Sequence, residues 1–180
     1  MLILNKIRST IILAGCLSAW ICQAIPPAEN HWKPAFSGAA KLAPVNGLTP
    51  QEEAFSVLDA DGMTLGWVFR TDRLNPPVKG HISQIACLVS LSTNASILGI
   101  KVLEHTETPL YFSKLRNDFF TQFKELPADT ALPQLDTVTG ATHSSTAIVR
   151  DVLEGIKRLI ELPAVKARIN SIKNPANPKP

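Results

Sequence analysis

The sequence predicts an α+β fold: a single domain, mainly antiparallel sheet with flanking helices, preceded by a signal sequence. Three observations carry that expectation. His81 to Leu91 and Ser96 to His105 are apolar runs separated by the short polar stretch Ser92 to Ala95, the pattern of an antiparallel hairpin. Asp61-Gly62 is a turn signal, and Met63 to Thr71 behind it has strand composition. Apolar residues then recur by threes and fours in Tyr111 to Leu126 and again from His143 to Leu162, the spacing of helices with one face on a core. At 180 residues, with 45% hydrophobic and 18% charged residues, the chain is long enough to bury that core.

The N-terminus comes first in order. Lys6 and Arg8 precede a short apolar run ending in Gln23-Ala24, with Pro26-Pro27 beyond it. This is the layout of a secretory signal over residues 1–24, cleaved after Ala24. The run is short for a spanning anchor, which needs about 20 apolar residues. Leu13-Ala14-Gly15-Cys16 also resembles a bacterial lipoprotein box, so lipidation at Cys16 and a retained anchor stand as alternatives to cleavage. The expected location is periplasmic or otherwise extracytoplasmic, in a bacterium, with membrane anchoring as the variant.

Residues 25–50 are rich in Pro, Ala and Asn without a steady period and read as a linker or an irregular arm. Thr49-Pro50-Gln51-Glu52 has helix-start chemistry, predicting a short helix through Leu58. Asn75-Pro76-Pro77 breaks regular structure before the hairpin, and Asn94-Ala95-Ser96 reads as turn chemistry rather than a glycosylation site. Phe112, Leu115, Phe119 and Phe123 form a stripe on the Tyr111 to Leu126 helix, and Asp129 to Gln134 is a connector. The final helix carries Ile148, Val152, Ile156, Leu159 and Ile160, and Pro163 is expected to stop it. The main domain is therefore placed at 51–165 and a flexible tail at 166–180.

Composition excludes several functions. The net charge of +3 is mild and its Lys and Arg residues are scattered, which argues against a nucleic-acid partner. Cys16 and Cys22 fall in the signal, so Cys87 stands alone in the mature chain, inside an apolar strand, and reads as a buried hydrophobe. There is no haem-attachment motif, P-loop, nucleotide-binding glycine fingerprint or serine-hydrolase elbow. His31, His81, His105 and His143 lack metal-ligand spacing, and each reads by default as a surface or hydrogen-bonded histidine; His143, next to Thr142, is the one to watch.

The chemistry concentrates in Asp136-Thr137-Val138-Thr139-Gly140-Ala141-Thr142-His143-Ser144-Ser145. Three readings compete. Thr142, Ser144 or Ser145 caps the helix that follows; the turn and helix start form an anion site; or one hydroxyl carries a phosphate-bearing group. Asp136 is either a turn cap or a group that orients or marks the loop. A Thr hydroxyl is a poor nucleophile near neutral pH and needs a base and usually a metal to attack a phosphoanhydride. The residues near Thr142 do not supply both, which fits modification by a separate enzyme.

The run Asp-x-x-Thr-Gly-Ala-Thr, Asp136 to Thr142, resembles the flavinylation motif of the FMN-binding domain family. That family includes the C subunit of sodium-pumping NADH:quinone reductase and the G subunit of the Rnf electron-transport complex. Lys101 to Pro109, ending Glu107-Thr108-Pro109, is similar to the family's strand-then-loop segment, and the resemblance spans about Gly62 to Leu162. It implies FMN joined to Thr142 by a phosphodiester, donated from FAD by a flavin transferase of the ApbE type. Asp136, Thr139, Gly140, Ala141 and Ser145 would then surround the attachment, with Glu107 and Thr108 beside the flavin. The chain departs from the family at Leu110-Tyr111-Phe112, where Gly-rich residues are usual. The implied function is an exported electron carrier or accessory subunit, more than an autonomous enzyme. It would relay electrons between a membrane-bound reductase, quinone or cytochrome and an extracytoplasmic acceptor. The alternative is an exported binding or assembly module that keeps the fold without the cofactor.

Overall fold

A computed structural model describes residues 25–76, 78–115, 117–127 and 135–174. The expected signal sequence, the 129–134 connector and the last six residues of the tail lie outside them. The strands are β1 (Lys41–Pro44), β2 (Ala54–Leu58), β3 (Thr64–Arg70), β4 (Ala86–Ser92) and β5 (Ile97–Glu104). They form one 5-stranded sheet in chain order, every neighbouring pair antiparallel. The α+β architecture and the β4–β5 hairpin are as the alternating apolar runs predict. Ala95 adopts a left-handed φ of 65° in the hairpin turn, and Asn94 accepts hydrogen bonds from the Ser92 hydroxyl and the Ser96 N–H.

Alternation along each strand separates two apolar layers. Trp67, Phe69, Cys87, Val89 and Leu91 face the layer covered by the C-terminal helices α5 (Thr142–Glu161) and α6 (Pro163–Lys173), through Ile148, Val152, Ile156, Leu159, Val165 and Ile169. Phe55, Val57, Val68 and Leu88 face the other layer, closed by Trp32 and Phe36. β4 is consequently buried almost throughout, which explains its continuous apolar reading. Cys87 is buried as expected, and desolvation, with the charges of Asp151 and Asp72 behind it, pushes its thiol up to about 12.

Several local expectations are corrected. The stretch 25–50 is not irregular throughout: it holds α1 (Glu29–Trp32), a 3-10 turn (Lys33–Ala35) and the edge strand β1, and it supplies the lid of the second layer. The helix expected through Leu58 is strand β2. The capping chemistry is present, since the Thr49 N–H donates to Glu52 Oε2 at 2.8 Å. It closes only a turn, because extending the next five residues lets Phe55 and Val57 bury on one face and Ala54 on the other. The first residues of the expected strand at His81 form a loop, and pairing with β5 begins at Ala86.

Tyr111 to Leu126 is not one helix but two single turns, α3 (Pro109–Phe112) and α4 (Asn117–Thr121). The stripe is right and the backbone is not: Leu115, Phe119 and Phe123 still reach the core. The segment ends with Glu125 at φ 66° and pairs onto the start of β5, through Glu125 N–H to the Ile97 carbonyl at 2.8 Å. Pro163 ends α5 but starts α6, taking the first helical position, where its missing N–H costs nothing. Residues 166–173 of the expected tail are therefore helical, with Ile169 buried.

Two contacts fix α5, one to the turn before β2 and one to the sheet. Arg158 donates two hydrogen bonds to the Glu52 carboxylate, at 2.8 and 3.0 Å. At Gly155 a β-carbon would stand 2.4 Å from Phe69 Cε2 and 2.9 Å from Asn75 Oδ1. Gly155→Val is expected to lower stability by about 1–3 kcal/mol through overpacking. Urea denaturation checks this, and an unchanged midpoint would show that helix and sheet can move apart freely.

Candidate functional site

The site lies at the end of the sheet where β4 begins and β5 ends, since Ala86 pairs with Glu104. Three segments converge there: the loop at 80–85, the turn from β5 into α3, and the start of α5.

Glu107 ties them together. It is 4% exposed, and its carboxylate accepts N–H groups of His81 (3.0 Å), Ile82 (2.8 Å) and Ser83 (3.1 Å) and the Ser144 hydroxyl (2.6 Å). Desolvation raises this carboxyl's pKa, but the Ser144 hydroxyl and the three N–H donors outweigh it and hold it at about 2. A β-carbon at Gly80 would lie 2.8 Å from Glu107 Oε1, so the loop closes on the carboxylate only with glycine there. The bond to Ser144 joins the Glu-Thr-Pro segment to the Thr-Gly-Ala-Thr segment.

At the start of α5 the expected hydroxyl cap is absent. Ala141 is the cap residue and no side chain caps the helix. Ser144 is turned to Glu107, while Ser145 Oγ accepts the Val138 N–H at 3.1 Å and donates to the Thr142 carbonyl at 3.1 Å. The first helical hydrogen bond runs from the Ser145 N–H to the Ala141 carbonyl. Gly140 sits at φ +79°, which turns the chain into the helix. Thr142 is exposed, and among the described residues its hydroxyl makes only a long contact of 3.4 Å to the Val138 carbonyl.

A cavity of about 300 Å³ opens here, lined by His81, Tyr111, Gly140, Ala141, Thr142, His143 and Ser144. The His81 and His143 rings stand 5.9 Å apart, and Tyr111 meets His81 edge-on at 6.5 Å. Exposed Ile82 and Leu110 flank these residues in the chain.

Of the residues singled out in the sequence, Gly140, Ala141 and Thr142 line the cavity. Asp136 is exposed and held by its backbone, which exchanges hydrogen bonds of 2.9 and 3.2 Å with the Gln122 side chain. Thr139 is exposed in the turn. Thr108 precedes α3 and accepts the Tyr111 and Phe112 N–H groups on its carbonyl. Ser145 and Glu107 spend their side chains on the protein itself. Sequence reasoning did not place His81 or Tyr111 here. Nothing in the spacing of His81 marks it, because only the folding of its loop onto Glu107 brings it in.

Residues 80–157 match the family model of the FMN-binding domain. The matched segment holds Glu107, the run Asp136 to Ser145 and every residue lining the cavity. No curated protein matches the chain. The match supports FMN as the ligand, and the residues present fit an FMN-binding domain. An exposed hydroxyl stands at an open cavity, the helix end beside it is uncapped, and aromatic rings form part of the wall.

Proposed function

We propose that this chain is an exported electron-transfer flavoprotein carrying FMN on Thr142 through a phosphodiester bond. The observation that carries the reading is the exposed Thr142 hydroxyl on the wall of the cavity, inside the segment that matches the FMN-binding domain. A flavin transferase would join the Thr142 oxygen to the FMN phosphorus of FAD. The phosphoanhydride bond to AMP breaks, AMP leaves, and the hydroxyl proton passes to a base of the transferase. Gly140 and Ala141 add little bulk beside Thr142, which favours entry of this turn into a second active site. Bound flavin supplies one- and two-electron transfer. The chain's own residues would hold and shield it: the uncapped start of α5 would serve the phosphate, and Glu107 with Ser144 keeps the 80–83 loop against the cavity. The partners are a membrane-bound reductase, quinone or cytochrome on one side and an extracytoplasmic acceptor on the other. The protein serves them as a carrier or accessory subunit.

Co-expression of the full chain with a flavin transferase is expected to yield fluorescence that survives a denaturing gel and an intact mass raised by one FMN. Thr142→Ala should abolish both. An unmodified wild-type chain would instead favour a cofactor-free assembly module, for which exposed Leu110 and Tyr111, 69% and 46% accessible, would serve as contact residues.

A further inference from the structure

Lys114 is exposed in the turn after α3, and its side chain lies over the glycine of the Thr142 segment. A β-carbon at Gly140 would stand 2.3 Å from Lys114 Nζ and within 3.4 Å of its two outer methylenes. The same ammonium sits 5.6 Å from the centre of the Tyr111 ring, on the cavity wall. Among the described residues no carboxylate pairs with it, and the buried acid nearest in the site, Glu107, is already saturated by Ser144 and three N–H groups. A cation is thus packed on the motif two residues from the exposed hydroxyl, with an aromatic face behind it and no carboxylate paired with it among the described residues.

We propose that Lys114 is the counter-charge for a phosphate held at the Thr142 segment, and that Gly140 is glycine partly so that this ammonium can lie against its α-carbon. The inference rests on the flavin reading of the site and adds a residue to it. Lys114 positions the phosphate before attachment and pairs with the phosphodiester afterwards. Its role is electrostatic, so arginine replaces it and an uncharged chain of similar length does not.

Two measurements on the full chain test this. In protein from a host without a flavin transferase, inorganic phosphate is titrated while the amide resonances of Gly140 to Ser144 are followed. Wild type should shift saturably, Lys114→Met should bind about tenfold more weakly, and Lys114→Arg should stay within about twofold. In the second measurement, loading with limiting transferase should start about tenfold slower for Lys114→Met and recover with Lys114→Arg. Unchanged thermal midpoints would exclude a merely structural effect. The phosphate titration decides: no saturable shift in wild type, or the same affinity in Lys114→Met, overturns the pairing. Equal shifts in all three proteins would mean an adventitious ion only. If Lys114-dependent phosphate binding is found but wild type never gains flavin, the covalent reading falls and the pairing stands.

Discussion

Glu107→Ala is expected to cost about 3 kcal/mol at neutral pH and to release the 80–83 loop from the start of α5. The carboxylate accepts four hydrogen bonds while 4% exposed, and hydrogen bonds to a charged group are worth about 1.5–3 kcal/mol each before non-additivity. Its folded pKa of about 2, against 4.5 in a free chain, gives the same order of magnitude by linkage. The sign follows from the direction of the shift. A lowered carboxyl stabilises the fold fully above about pH 4.5, and this stability is lost as pH falls toward 2. Urea denaturation at pH 7 should therefore separate variant from wild type widely, and the gap should shrink by pH 3. A gap that does not depend on pH would mean that lost packing, not the carboxylate, causes the effect. In the variant the His81, Ile82 and Ser83 amides should also exchange with solvent faster than in wild type, while those of β4 should not.

The second large effect has the opposite pH dependence. Asp151 of α5 is 2% exposed and is pushed up to about 6 by desolvation, against hydrogen bonds from Thr71 and Asn75. Asn75 donates to Asp151 Oδ1 at 2.5 Å, yet among the described residues Asp151 Oδ2 and Asn75 Oδ1 are both buried acceptors without a partner. Protonating the acid removes a buried charge and turns one of these acceptors into a donor. Here the folded pKa exceeds the free value of 3.8, so the contribution is full below about pH 4 and is lost as pH rises through 6. Its size is on the order of 3 kcal/mol. Asp151→Asn keeps the shape and replaces the acid's O–H donor with an amide N–H that carries no charge. Its stability should be nearly flat from pH 5 to 7, above the range in which Glu107 protonates, while wild type declines there. A wild type with no decline over that window would show that Asp151 ionises at no cost to the fold.

Much of this molecule was legible from short-range pattern, and the misses share one cause. The hairpin and α5 are specified locally, by turn residues between apolar runs and by a spacing of threes and fours. Segments that borrow their conformation from the sheet were misread. Residues 54–58 carry a good cap before them but extend because β1 and β3 offer partners on both sides. The phenylalanine stripe from Leu115 to Phe123 has helical spacing because its core contacts recur at that interval, although its backbone is broken. At the site, small residues and hydroxyls marked the Thr142 segment. Their spacing could not show that Ser144 belongs to Glu107, a partner 37 positions earlier. Tyr111 was visible as a departure in the loop, and only the fold turns its ring onto the cavity.

The sheet also acts as a partition. The layer behind it, built from Trp32, Phe36 and the outward side chains of β2, β3 and β4, shares no residue with the layer that supports α5 and the cavity. Disturbances on the two sides should add rather than interact, as they do for sites without common contacts. Trimming Trp32 or Phe36 should therefore loosen the layer they close without retuning the pocket on the far side.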